Sequence, residues 1–359
     1  MAKSKKSPRK KKSQSASTNN GPTDTASTDI TAGRGIYEPS SSLKAAAYES
    51  ACDPWGDTSC LAPLRPLDIK LAPHSKDPRF PSMRGQSKPT ERKTGCYGWI
   101  PDLPDVRDHM YATPFALSLP RQFDLRDHCA PFPPVYDQGL LGSCTANALA
   151  GAIQFERMRQ RLPWSEQIPS RLFIYYNERI LEGTAEHDHG AQLRDGIKSI
   201  VHNGACFEGN SPGQWPYDIN AVTTAPSPAC YAMALKDRVI GYSRLHQTYE
   251  QMRGCLASGF PFVFGFTAYE SLKDAASGKI PLPSANEAAI GGHTVMAIGY
   301  DDAAQKFIIR NSWGSGWGKK GYGSMPYAYL TNSNLARDFW TIRLMSLNTG
   351  KSPATKSNE

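Results

Sequence analysis

Residues 291–318 read GGHTVMAIGYDDAAQKFIIRNSWGSGWG. Two glycines precede His293, and the apolar run Thr294–Tyr300 suits a buried strand. Asp301-Asp302-Ala303-Ala304-Gln305 reads as a turn, and Lys306–Arg310 as a second strand. Folded as a hairpin centred near residue 302, the two strands place His293 opposite Asn311. Directly opposed side chains on neighbouring strands have Cβ atoms about 4.5–5.5 Å apart. An asparagine carbonyl at that separation accepts a ring N–H and fixes the imidazole's tautomer and orientation. A register slip of one residue would turn the two side chains to opposite faces.

Further upstream, Gln138-Gly139-Leu140-Leu141-Gly142-Ser143-Cys144 leads into CTANALAGAIQFERMRQ, residues 144–160, which is rich in Ala and free of Pro. This predicts a helix that begins at Cys144 with Ser143 near its N-cap. A thiol in a first turn sees the positive end of the helix dipole, which favours thiolate. The glycines before it permit close approach of a substrate backbone. PSRLFIYYNERILEG (169–183) predicts a second helix, and AQLRDGIKSIVHNG (191–204) a third, closed by Gly204. Additional strands are expected at Pro261–Phe266 and Phe339–Leu344. Helices first and strands later make the expected class α+β with two packed sub-regions.

Residues 1–95 are rich in Ser, Thr, Pro, Lys and Gly without an apolar period and are expected to be disordered, with Trp55, Cys52 and Cys60 as a local docking spot. Residues 96–120 form an extended lead-in, because residues before Pro avoid the α region. Residues 121–346 are the expected body and 347–359 a polar tail. The formal charge is +8, and residues 1–12 hold seven Lys or Arg and no acid, which leaves +1 for the remainder. The body therefore lacks the basic face of a nucleic-acid-binding fold. No apolar run approaches the roughly 18 residues needed to span a bilayer, so no membrane association is expected.

Eight cysteines are scattered without a CxxC pair, which removes zinc ribbons and thioredoxin-type motifs. The basic start has no apolar h-region behind it, so the expectation is a cytoplasmic protein with reduced thiols, nuclear import or leaderless export being the other routes. Most of the cysteines then serve as small apolar packing residues. No cofactor or metal is expected: three consecutive residues such as His187-Asp188-His189 do not converge on one ion in regular structure. Gly318-Lys319-Lys320 lacks the phosphate-loop spacing. Arg194 and Asp195 read as surface charges or an ion pair.

Cys144, His293 and Asn311, in that order, make a candidate Cys-His-Asn triad. His293 lies 149 residues beyond Cys144 and Asn311 lies 167 beyond it. Gln138…Gly142-Ser143-Cys144, Gly292-His293-Thr294 and Asn311–Gly318 resemble the three signature blocks of the papain-like cysteine peptidases, over about Phe123 to Leu344. PSRLFIYYNER, GQWPYD and GWIPDLPDVRD resemble the bacterial-type branch. The resemblance implies a two-lobed fold, with a helical lobe carrying Cys144, a β-barrel-like lobe carrying His293 and Asn311, and the site in the cleft between them. It implies that Gln138, six residues before the cysteine, helps form the oxyanion hole and that Trp313 shields the His–Asn hydrogen bond. Gly142, Ser143, His189, Gly190, Gly292 and Trp313 are the implied substrate-contact positions.

There are departures from that pattern. Leu141 stands where the family has a cysteine, so the corresponding disulfide is missing, and Thr145 replaces an aromatic residue. Only His189-Gly190 stands for the usual glycine pair, and residues 1–95 show no helical proregion. The implied activity is hydrolysis of peptide or protein substrates by a monomer, through a thiolate–imidazolium pair and a thioester acyl-enzyme. A catalytically silent peptide-binding relative and an amine acyltransferase are the other readings. The Pro-rich segment Gly98–Arg107 is expected either to cross the cleft as a built-in inhibitor or to strap the outer surface.

Overall fold

A computed structural model of the protein describes residues 97–113 and 118–347. The expectations for residues 1–95, for Cys96 and for the tail from residue 348 lie outside the described residues. The elements, in chain order, are β1 (Met110–Tyr111), β2 (Gln122–Asp124), α1 (Leu125–His128), α2 (Cys144–Arg159), α3 (Arg171–Glu182), α4 (Leu193–Asn203), α5 (Pro228–Ala234), β3 (Asp237–Leu245), α6 (Tyr249–Ala257), β4 (Phe262–Tyr269), β5 (Ala289–Asp301), β6 (Lys306–Arg310), β7 (Tyr322–Pro326), α7 (Tyr327–Leu330) and β8 (Ala336–Leu347). The class is α+β, as expected.

The three long helices start and stop where their sequences dictate. Helix α2 begins at Cys144 and is buried on every side from Cys144 to Arg157, which its small residues allow. Ser170 caps α3 by accepting from the Phe173 amide, and Gly183 ends it in the left-handed conformation. Gly204 closes α4. Ser143 occupies the N-cap position of α2 but its hydroxyl makes no cap hydrogen bond, because it is engaged elsewhere. Inside the core, Arg157 of α2 pairs with Asp237 at the start of β3.

The strands form one mixed sheet in the order β1-β3-β8-β4-β5-β6-β7, with β2 extending the ladder along β5 where β4 leaves it. The path is open rather than closed on itself. Phe262, Phe264 and Phe266 share one face of β4, because side chains alternate along a strand. They pack against Phe307, Phe339 and Tyr329. Each such buried ring contributes roughly 1.5–3 kcal/mol of transfer free energy. Among the described residues, no helix is long and apolar enough to cross a membrane.

The hairpin β5–β6 forms with a different register from the expected one. Asp301 pairs with Lys306, which centres the turn between residues 303 and 304 instead of at 302, and an irregularity between Ala297 and Gly299 then sets Met296 opposite Arg310. The change moves the partner by two residues, so His293 and Asn311 become diagonal instead of directly opposed. Residues two apart share a face of the sheet, and the pair still meets.

Candidate active site

His293 enters the site from β5, where it pairs across to Phe266 of β4. Its Nε2 lies 2.8 Å from Asn311 Oδ1. The Asn311 oxygen also accepts the Ser312 amide at 2.8 Å, so the carboxamide is oriented from both sides. With Nε2 donating to an oxygen, Nδ1 is the basic nitrogen, and it is buried without a hydrogen-bond partner. The ring is boxed in by aromatics: Trp313 stacks on it at 4.6 Å and 24°, and Phe266 and Tyr97 meet it edge-on at 5.6 and 6.2 Å.

Cys144 is the first residue of α2, so its backbone N–H has no partner within the helix. The thiol is fully buried, with the backbone amides of Gly98 and of Thr294, the neighbour of His293, against the sulfur. Gln138 is buried at the turn before the helix. Its backbone N–H donates to Ser312 O at 2.8 Å, and its side-chain oxygen accepts from Ser312 Oγ at 2.6 Å. Its Nε2 donates to Leu141 O at 2.9 Å. Gln138 is thus joined through Ser312 to Asn311, Asn311 to His293, and Cys144 lies against Thr294, the residue after His293.

The segment 97–100 runs through this place as an extended strap. Trp99 N donates to Gly292 O at 2.9 Å, Ala191 N to Gly98 O at 2.8 Å, and Ile100 N to Ala191 O at 3.0 Å. The strap is thus hydrogen-bonded to both walls at once. It fits because the walls and the strap lack side chains where they meet. A Cβ on Gly98 would overlap the carbonyl of Gly142, one on Gly190 would overlap the carbonyl of Gly98, and one on Gly292 would overlap that of Trp99. The Trp99 indole lies against Gly265, where any Cβ would fall inside the ring.

Of the expected contact positions, Gly142, Gly190 and Gly292 line the strap. Ser143 instead spends its hydroxyl on Tyr217 at 2.5 Å, His189 is exposed, and Trp313 covers His293. Asp188, between the two histidines once weighed as metal ligands, accepts the Gly142 amide at 3.1 Å and the Tyr175 hydroxyl at 2.5 Å. Ala191 provides the wall's hydrogen bonds, a role nothing in its side chain could signal.

Burial changes the protonation expected from sequence. It pushes the Cys144 thiol up to about 11 and the His293 imidazole down to about 4, against the raising effect of the Asn311 hydrogen bond. Both shifts favour neutral forms, because desolvation penalises charge of either sign. Burial therefore works against the thiolate–imidazolium pair expected from sequence.

Beyond Ile100 the strap is anchored by charge. Asp102 accepts from the Arg194 amide at 3.0 Å and from Trp340 Nε1 at 2.8 Å, and its own N–H donates to Asp338 Oδ2 at 2.8 Å. Asp108 binds Arg194 at 2.5 Å and Arg244 at 2.6 Å, and Arg244 reaches Asp338 at 3.1 Å. Arg194 is therefore a buried anchor and not a surface charge. Three carboxylates face two guanidiniums. Burial raises Asp102, and burial together with the charge of Asp102 pushes Asp338 up to about 8.

Comparison with known proteins shows the family and the fold. A family model described as "Papain family cysteine protease" matches residues 119–339. An uncharacterised peptidase C1-like protein of Acanthamoeba polyphaga mimivirus is 43% identical over 218 residues, covering 58% of this chain and 68% of its own. Xylellain, a cysteine protease from Xylella fastidiosa, superposes with a TM-score of 0.64 at 44% identity, over 72% of this chain and 99% of its own. Digestive procathepsin L 3 of Tenebrio molitor larval midgut shares the fold at 22% identity, with a TM-score of 0.52 over 66% of this chain and 74% of its own.

Proposed function

The chain belongs to the papain family of cysteine proteases, and from that premise we propose that it hydrolyses peptide bonds through Cys144, His293, Asn311 and Gln138, and that residues 97–108 hold it latent. The observation that carries the catalytic reading is the 2.8 Å contact of His293 Nε2 with Asn311, which leaves Nδ1 as the free base. In an open cleft, Nδ1 takes the Cys144 proton and the sulfur attacks the substrate carbonyl carbon. The carbonyl electron pair moves to oxygen, where the Cys144 N–H and the Gln138 amide receive it. The imidazolium then protonates the leaving amine, and the resulting thioester is hydrolysed by water that His293 deprotonates. Gln138→Ala is expected to lower kcat by about 10²–10³-fold with KM little changed, the usual cost of one oxyanion donor. Steady-state kinetics on a strap-released chain check it, and a loss confined to KM would reassign Gln138 to substrate binding.

The latency reading rests on the strap's hydrogen bonds to both walls and on the absence of room for any side chain at Gly98. Full-length chain carrying Gly98→Val is the strap-released reference, because valine cannot occupy that position.

The anchor gives latency a pH dependence. Asp102 and Asp338 have raised pKa values in the docked state and return toward the ordinary value of about 3.9 on release. The docked state therefore binds the extra proton. Its stabilisation is fully present below the ordinary carboxylate range and is lost as pH rises toward about 8. The other charges at this place are Asp108, Arg194 and Arg244, with His246 and Arg337 lining the adjoining cavity and Lys198 and Arg107 beside Asp105. The activity of wild type relative to Gly98→Val is expected to climb between pH 5 and 8, by up to about tenfold per pH unit for one proton. Asp338→Asn, which mimics the protonated acid, flattens the climb. A ratio that falls with pH, or a slope unchanged in Asp338→Asn, contradicts the assignment.

A further inference from the structure

The proposed oxyanion site has two donors on separate pieces of chain, the Gln138 side chain on a turn and the Cys144 N–H at the start of α2. The residues between them include the glycines Gly139 and Gly142 and are tied within the turn by Gln138 Nε2 to Leu141 O at 2.9 Å and Leu141 N to Gln138 O at 3.4 Å, a tie that stops short of Ser143 and Cys144. Tyr217, which follows Trp215-Pro216 far along the chain, reaches both pieces. Its hydroxyl donates to Gln138 O at 2.9 Å and receives the Ser143 hydroxyl at 2.5 Å.

The phenol is itself held. The Arg171 guanidinium lies 3.9 Å over its ring and is fixed by a bidentate pair with Glu208, at 2.7 and 2.9 Å. The same guanidinium donates to Asp137 O at 2.8 Å and to Asn147 Oδ1 at 3.0 Å. Asn147 in turn donates to Ser143 O at 2.9 Å and to Ser143 Oγ at 3.1 Å. Every bond runs in a consistent donor–acceptor direction, from Arg171 through Asn147 and Ser143 to the phenol, and from the phenol to Gln138. Burial pushes the phenol up to about 12, so it remains a donor across the working range. Ser143 gives up capping its own helix to join this chain of bonds.

We propose that Tyr217 is a positioning residue that sets the distance between the two oxyanion donors, tying the Gln138 turn to the N-terminus of the nucleophile's helix. The proposal rests on the catalytic reading given above. It predicts that the phenol matters for reactions in which the carbonyl oxygen gains charge, and not for the nucleophilicity of the sulfur. Two reagents separate these. A peptide aldehyde forms a C–S bond while its carbonyl pair moves onto oxygen, so it needs the donors. Iodoacetamide forms a C–S bond and expels iodide, with no oxyanion at all.

The test uses full-length Gly98→Val chain with and without Tyr217→Phe, which keeps the ring over Arg171 and removes only the hydroxyl. Expected are a fall in kcat of about 10- to 100-fold with KM within about twofold, and a comparable weakening of aldehyde inhibition, the range set by partial misplacement of an oxyanion donor. The iodoacetamide rate at Cys144 and the melting temperature should stay unchanged. Ser143→Ala, which removes one arm of the tie, should shift the same quantities in the same direction. Equal losses in alkylation and hydrolysis, or no loss in either, overturn the proposal. Failure of the Gly98→Val parent itself to alkylate at Cys144 would instead remove the catalytic reading beneath it.

Discussion

Gly98→Val in the full-length chain is expected to raise the rate of peptide hydrolysis by at least about tenfold over wild type at pH 6, below the raised value of about 8 at Asp338. The strap meets Gly142 and Gly190 backbone to backbone, and a side chain at 98 would overlap the Gly142 carbonyl. That overlap cannot be relieved by a rotamer, since the atom struck is main chain in the turn that carries the nucleophile. The docked state is therefore lost while the wild-type anchor residues remain. A shift of a two-state equilibrium by even 1.4 kcal/mol changes populations tenfold, and a steric exclusion of this kind exceeds that. Opening also restores water to Cys144 and His293, where burial otherwise favours the neutral forms. Trp99→Ala, which withdraws the indole from beside Gly265, should act in the same direction. If neither variant changes the rate, residues 97–108 do not control access.

Cys144→Ala, made in the Gly98→Val background, is expected to remove hydrolysis by about 10⁶-fold, the scale on which loss of a triad nucleophile is felt. The fold should be untouched, because alanine fits the space of the cysteine and the first turn of α2 is held by Ser143 and Asn147. Circular dichroism and melting temperature provide that control. Substantial remaining hydrolysis in the double variant would locate the chemistry elsewhere.

Much of this arrangement was legible in the sequence because it is carried by local pattern. Ala-rich spacing and the glycines before Cys144 announced α2, and the first residue of that helix was identified correctly. The apolar runs around His293 announced β5 and β6, and the even register shift preserved the His293–Asn311 meeting. What stayed hidden depends on contacts between distant segments. Nothing in Asp102 or Asp338 alone says that they share a buried cluster 236 residues apart. Tyr217 belongs to a legible motif, GQWPYD, but its reach to Gln138, 79 residues away, is a property of packing. The burial that raises the Cys144 thiol and lowers the His293 imidazole was hidden for the same reason. Helix dipole and imidazole favour thiolate in a wet cleft, whereas burial favours the neutral forms.

The most direct measurement is the rate of iodoacetamide alkylation at each cysteine, read by mass spectrometry across pH 5–9 in Gly98→Val chains with His293 intact or replaced by alanine. Cys144 is expected to react ahead of Cys129, Cys206, Cys230 and Cys255, to remain reactive at pH 6, and to lose that low-pH reactivity when His293 is removed. Alkylation of Cys144 no faster than of those four thiols, or equally fast without His293, would contradict the meeting of sulfur and imidazole on which the account stands.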